Sequence, residues 1–205
     1  METATIFDRI VIAVPREKIY RRLGYRRDIT VLSAMDRESV DDAIDYACSR
    51  LHLKGAGRRI SIKEKSPEEI ILAGGAAFRS TALSRFLGDC REIILLGATG
   101  GTHLLDEIHE ETSRDNLSRA VVYDATASEM VDGALEWIVR YYTGILRREG
   151  RRLLKRRFSA GYGDFALEHQ KIIYDLLTLD RIGVKITSTS ILIPEKSVTA
   201  VTGIK

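Results

Sequence analysis

Between Ala125 and Arg148 the sequence carries one apolar stripe with a period of about 3.6 residues: Ala127, Met130, Val131, Ala134, Leu135, Ile138, Tyr141, Tyr142 and Ile145. The spacing predicts a long amphipathic helix. Such a helix draws its stability from packing its stripe on another layer, so the rest of the chain must supply an apolar surface. The opposite face carries Glu129, Asp132 and Glu136, with only Arg140 placed four residues beyond Glu136. Asp132 and Glu136 are like charges at i,i+4, an arrangement that weakens an isolated helix. Either these acids are solvated near the helix start, where the dipole favours them, or they meet a cation from elsewhere.

The remaining elements read as short strands and further helices. Ile10 to Val14 is an apolar run closed by Pro15, and a strand is expected there. Ser33-Ala-Met-Asp36 has capping-box spacing with Asp in place of Glu, and behind it Val40, Ala43, Ile44, Ala47, Cys48 and Leu51 recur at helical spacing. Arg58 to Lys65 alternates as a half-buried strand does. Ile70 to Ala73 and Ile93 to Leu96 fit buried strands, although periodicity alone does not separate them from helix. A helix is expected from about Phe165 to Leu179 with Asp164 as its N-cap. Strands follow at Val184 to Thr187, Ile191 to Ile193 and, after a turn at Pro194-Glu195-Lys196, Val198 to Ile204. Strands and helices do not alternate regularly, so the expected class is α+β. With no repeat, low-complexity tract or linker, residues 1–205 read as a single domain.

Composition narrows the function classes. No run approaches the roughly 20 apolar residues of a membrane span. The opening METATIFDRIVIAVP has acids at Glu2 and Asp8 and no small-residue cleavage pattern, so no signal peptide is read and a cytoplasmic protein is expected. Cys48 falls on a helix stripe and Cys90 opens an apolar strand, which makes both small core residues rather than a disulfide or metal pair. His52, His103, His109 and His169 show no ligand clustering, so no protein-borne metal is expected. The net charge of +3 is small but unevenly spread. Arg16 to Arg27 and Arg147 to Arg157 are basic blocks, whereas His103 to Asp115 is acidic. The basic blocks suit a solvated face, phosphate or nucleic acid, or an acidic redox partner. The acidic segments and the lack of an aromatic stacking array argue against nucleic acid.

Two glycine-rich segments are candidates for chemistry. Gly97-Ala-Thr-Gly-Gly-Thr102 follows an apolar strand, but it has neither a P-loop Lys-Ser/Thr nor G-x-G-x-x-G, and it reads first as a tight turn. Arg157-Phe-Ser-Ala-Gly-Tyr-Gly-Asp164 combines two glycines with a guanidinium and a tyrosine ring. That set suits a small molecule bearing a carboxylate and a flat heterocycle. It is equally compatible with a plain interhelical connection.

The run RRFSAGYGDFALEHQKIIYDLL, followed by RIGVKITSTSILIPEKSVTAVTGI, resembles the activation (reactivation) domain of cobalamin-dependent methionine synthase in its stand-alone form. YRRLGYRRD, EIILLGATGG and DATASEM agree with it. The resemblance implies an α+β fold with a twisted, mainly antiparallel sheet and several helices, and a shallow S-adenosylmethionine site. It implies a reactivation subunit that supports reductive methylation of cob(II)alamin to methylcobalamin, as a component of the methyltransferase rather than a self-sufficient enzyme. Cobalamin would be carried by a partner methionine synthase polypeptide, and flavodoxin or another low-potential donor would supply an electron. By resemblance Arg157 holds the ligand carboxylate, Ser159, Ala160 and Gly161 present backbone, and Tyr162 packs beside the ligand. The acidic contact falls on Glu129 or Asp132. No catalytic residue is implied, because the protein's task is to hold methyl and cobalt in line. The fused enzymes have Arg-Pro-Ala-Pro-Gly-Tyr-Pro where this chain has Arg157-Phe-Ser-Ala-Gly-Tyr-Gly. The alternatives are an accessory protein of the same fold that binds another small molecule or only the synthase, and a nucleic-acid module. A self-contained methyltransferase lacks support, since no glycine loop and acidic ribose contact follow a first strand.

Overall fold

The computed structural model describes residues 3–26 and 29–205. Glu2 of the opening run, and Arg27 and Asp28 at the end of YRRLGYRRD, lie outside them. The described residues form an α+β fold built on an antiparallel sheet. Strand β2 (Lys54–Lys65) is its spine. One edge pairs with β5 (Glu92–Thr99), which pairs in turn with β8 (Ser197–Ile204). The other edge of β2 is shared by β1 (Thr5–Phe7) and β3 (Glu69–Leu72), with β4 (Ala77–Arg79) beyond β3. A register shift between Ile62 and Glu64 bends β2 where β3 takes over. Strands β6 (Lys185–Ile186) and β7 (Leu192–Ile193) make a separate two-stranded ribbon.

Helix α5 (Leu117–Arg148) carries the sequence's apolar stripe. At 32 residues it begins eight residues before Ala125 and runs about 48 Å. Met130, Val131, Ala134, Leu135, Ile138 and Tyr142 pack on Ile94, Leu96 and Ala200 of the sheet. Gly57 on β2 permits this approach, since a Cβ there would stand 2.4 Å from the Tyr142 ring. The first half of α5 packs Val122, Tyr123, Ala125 and Ala127 on α2 (Ala34–Arg50) and on Ile19 of α1 (Arg16–Arg22). Helix α4 (His103–Ser113) adds Leu104 to this layer. The Ser33 hydroxyl caps α2 as the spacing predicts, accepting the Asp36 N–H at 3.0 Å. The other sheet face is covered by α3 (Thr81–Leu87), α6 (His169–Leu177) and a 3-10 turn at Leu179–Ile182. Because both faces of β5 are covered, its Ile93 to Leu96 run is continuously apolar.

Several expectations are corrected. Ile10 to Val14 is not a strand. Both edges of β2 are already occupied there, and Ile10 makes one backbone bond, its N–H donating to Leu53 O at 2.9 Å. Cys90 is buried but precedes β5, which opens at Glu92. Of the glycine-rich segment, Gly97 to Thr99 belong to β5, leaving Gly100 to Thr102 as the turn into α4. Helix α6 starts at His169 rather than Phe165, and Asp164 does not cap it. The Asp164 carboxylate instead accepts from Ser80 Oγ at 2.5 Å, from Thr81 N–H at 2.8 Å and from Ala82 N–H at 3.1 Å, capping α3.

Candidate functional site

The loop from Arg156 to Asp164 is held at two points. Phe158 exchanges both backbone hydrogen bonds with Val201 of β8, at 2.9 and 2.7 Å. Asp164 fixes the far end on α3, and the Ser80 hydroxyl bond, with the two backbone N–H groups, holds its carboxyl below the usual aspartate range. Between these anchors Gly161 adopts φ +91° and donates its N–H to Phe165 O at 2.7 Å, which closes a tight arch. The Ser159 hydroxyl donates to Thr199 O at 2.8 Å and ties the arch to β8 again.

Beneath the arch lies an open cavity of about 780 Å³. Its walls come from α5 (Asp132, Leu135), α3 (Ala82, Arg85, Phe86), β8 (Ser197 to Ala200) and the loop itself. Five of the residues expected from sequence meet here: Arg157, Ser159, Ala160, Tyr162 and Asp132. Gly161 does not line the cavity, and its N–H is committed to the arch. Glu129 also lies outside. Its carboxylate accepts from Arg22 Nε at 2.7 Å, so the acid one turn from Asp132 already has its cation. Of the two acids left open by the sequence, Asp132 lines the cavity and Glu129 does not.

Asp132 and Arg157 form no hydrogen bond or ion pair among the described residues. Burial pushes the Asp132 carboxyl above its usual range; the Arg157 charge opposes this, and Glu129 adds to it. The cavity therefore holds a half-buried carboxylate and a guanidinium, both available to a ligand bearing an ammonium and a carboxylate. Tyr162 stands at the rim, 70% exposed. Sequence reasoning missed the Phe86–Phe158 pair, whose ring centroids lie 5.6 Å apart in the wall. It also missed Gln170 of α6, which accepts from Thr199 Oγ1 at 2.7 Å. These residues come together only through tertiary packing, although Phe158 stood in the glycine-rich segment, Gln170 in an expected helix and the lining residue Arg156 in the second basic block.

No helix among the described residues is long and apolar enough to cross a membrane. No family model matches the sequence, and no curated protein does. The fold, however, is similar to that in a crystal structure of the MetH reactivation domain bound to AdoHcy. The superposition has a TM-score of 0.62 at 15% identity and covers 93% of this chain and 72% of that one. At that identity the likeness is one of fold.

Proposed function

We propose that the cavity under the Arg157–Tyr162 arch binds S-adenosylmethionine, and that the chain serves as the reactivation module of a cobalamin-dependent methionine synthase. The observation that carries this reading is Asp132 and Arg157, opposite charges lining one cavity with no hydrogen bond or ion pair to either side chain among the described residues. An S-adenosyl amino acid brings a carboxylate for the guanidinium and an ammonium for the aspartate. Phe86 and Phe158 offer an apolar wall for a flat base, and Tyr162 a ring at the mouth. The fold supports the same ligand class, since the similar MetH domain is bound to AdoHcy.

The sulfonium of this ligand supplies a transferable methyl group. This chain's share is binding and orientation: Arg157 and Asp132 fix the amino-acid end, which leaves the open side of the cavity toward a partner. The cobalamin belongs to that partner, and a low-potential donor such as flavodoxin supplies one electron for the return of cob(II)alamin to methylcobalamin. Effective positioning of this kind lowers a barrier by about 7–11 kcal/mol at its upper range.

Isothermal titration with S-adenosylmethionine and AdoHcy tests the binding half. Mixing the chain with a methionine synthase lacking its own reactivation domain, plus reductant and S-adenosylmethionine, tests the rest by following the cob(II)alamin spectrum. Saturable binding followed by return of the methylcobalamin spectrum is expected. Absence of binding by both ligands overturns the proposal.

A further inference from the structure

The charges lining the cavity do not balance against the ligand just proposed. Among the described residues, Arg85, Arg156 and Arg157 line it together with a single carboxylate, Asp132, so three positive charges less one negative leave two in excess. AdoHcy is a zwitterion whose two charged ends answer Arg157 and Asp132 and nothing more. S-adenosylmethionine adds a further positive charge. Arg85 and Arg156 then remain, with no hydrogen bond or ion pair to either guanidinium among the described residues. Their backbones are not loose. Arg85 sits in the last turn of α3, whose start is capped by both Ser80 and Asp164. Arg156 O accepts from Thr202 Oγ1 of β8 at 3.1 Å. Phe86, next to Arg85, and Phe158, two residues after Arg156, line the same cavity with their rings tilted at 32° and centroids 5.6 Å apart.

We infer that Arg85 and Arg156 form an anion-accepting subsite beside the aromatic wall, and that it takes the phosphate of a nucleotide whose base lies on Phe86 and Phe158. Two guanidiniums lining one cavity suit the several oxygens of a phosphate, and each charge-assisted contact is stronger than a neutral one. The adjoining rings give the flat, apolar contact a purine needs. The inference shares its cavity with the reading above but does not require a methyl donor.

Titration calorimetry at low ionic strength, with adenosine, adenosine 5′-monophosphate and inorganic phosphate, tests it on the whole chain. The monophosphate is expected to bind about tenfold or more tightly than adenosine. That advantage is expected to disappear in R85Q/R156Q and to shrink as salt is raised. Both side chains are exposed, so the double variant keeps its fold, which a thermal melt verifies. Inorganic phosphate binding as tightly as the nucleotide would assign the subsite to a free anion. Equal binding of adenosine and its monophosphate, no binding by any of the three, or an advantage that survives R85Q/R156Q overturns the inference. AdoHcy is titrated in parallel. Its failure to bind counts against the proposed function alone, because the nucleotide arm reads Arg85 and Arg156 independently.

Discussion

Glu92 and Asp132 are both partly buried carboxylates facing arginine, and the protein treats them in opposite ways. At the start of β5, Glu92 accepts from Arg59 Nε at 2.8 Å and also pairs with Arg151, while Glu149 takes the remaining Arg59 nitrogen at 2.9 Å. The Arg59 hydrogen bonds hold Glu92 below the usual glutamate range, despite opposing burial and with further help from Arg151. On α5, by contrast, Asp132 has Arg157 within electrostatic range but no bond to it, and burial lifts its carboxyl instead. One cluster spends its charges on joining β2, β5 and the chain after α5. The other holds its charges apart, at a cost to the folded state that a ligand can recover.

If that contrast is right, the two clusters should fail differently. The largest effect is expected from E92Q, which takes the carboxylate from Arg151 and leaves Arg59 with Glu149 alone. Urea denaturation should show a loss of about 3 kcal/mol, with ligand affinity unchanged in the folded fraction. The wild-type contribution has a definite pH sign: because the folded Glu92 value is depressed, its stabilisation is present above the ordinary glutamate range and is lost as pH falls through the folded value. Next comes R157Q, which should weaken AdoHcy by about 2 kcal/mol, roughly thirtyfold by calorimetry, while leaving the melting temperature unmoved. A loss of stability instead would make Arg157 structural. Third, D132N should weaken AdoHcy about tenfold. Wild-type binding of that ammonium should fall off with acid in a window above the ordinary aspartate range, since the folded carboxyl is raised there. The smallest effect is on stability in the same variant. A raised folded value means stability declines as pH rises through that window, so D132N should stabilise the unliganded protein at neutral pH by up to about 1 kcal/mol. A destabilised D132N would break the comparison outright.

What could be read in advance divides along similar lines. The α5 stripe, the Ser33 cap and the alternation of β2 are local patterns, so periodicity and capping chemistry reveal them. Asp164 misled because aspartate before an apolar run is a sound local N-cap signal; its true partners lie more than 80 residues away, at Ser80 and Ala82. The Ile10 run failed for a related reason, since strand formation depends on an open edge and those of the neighbouring β2 are taken by β1, β3 and β5. In the candidate site, Asp132 and Glu129 have nearly equal claims by spacing. Tertiary packing separates them, since Arg22 of α1 pairs with Glu129 while Asp132 lines the cavity. Arg85 and Phe86 on α3 and Gln170 on α6 carry no local signature, because they reach the cavity only through the packing of those two helices.

The double tether of the arch shapes how its cavity can be filled. With Phe158 stitched to β8 and Asp164 clamped on α3, the backbone over Ser159 to Gly163 is anchored at both ends before any guest arrives. Little chain entropy then remains to be surrendered on capture, and adjustment falls to the protruding Tyr162 ring. The doorway can therefore adapt while the vault above it stays fixed.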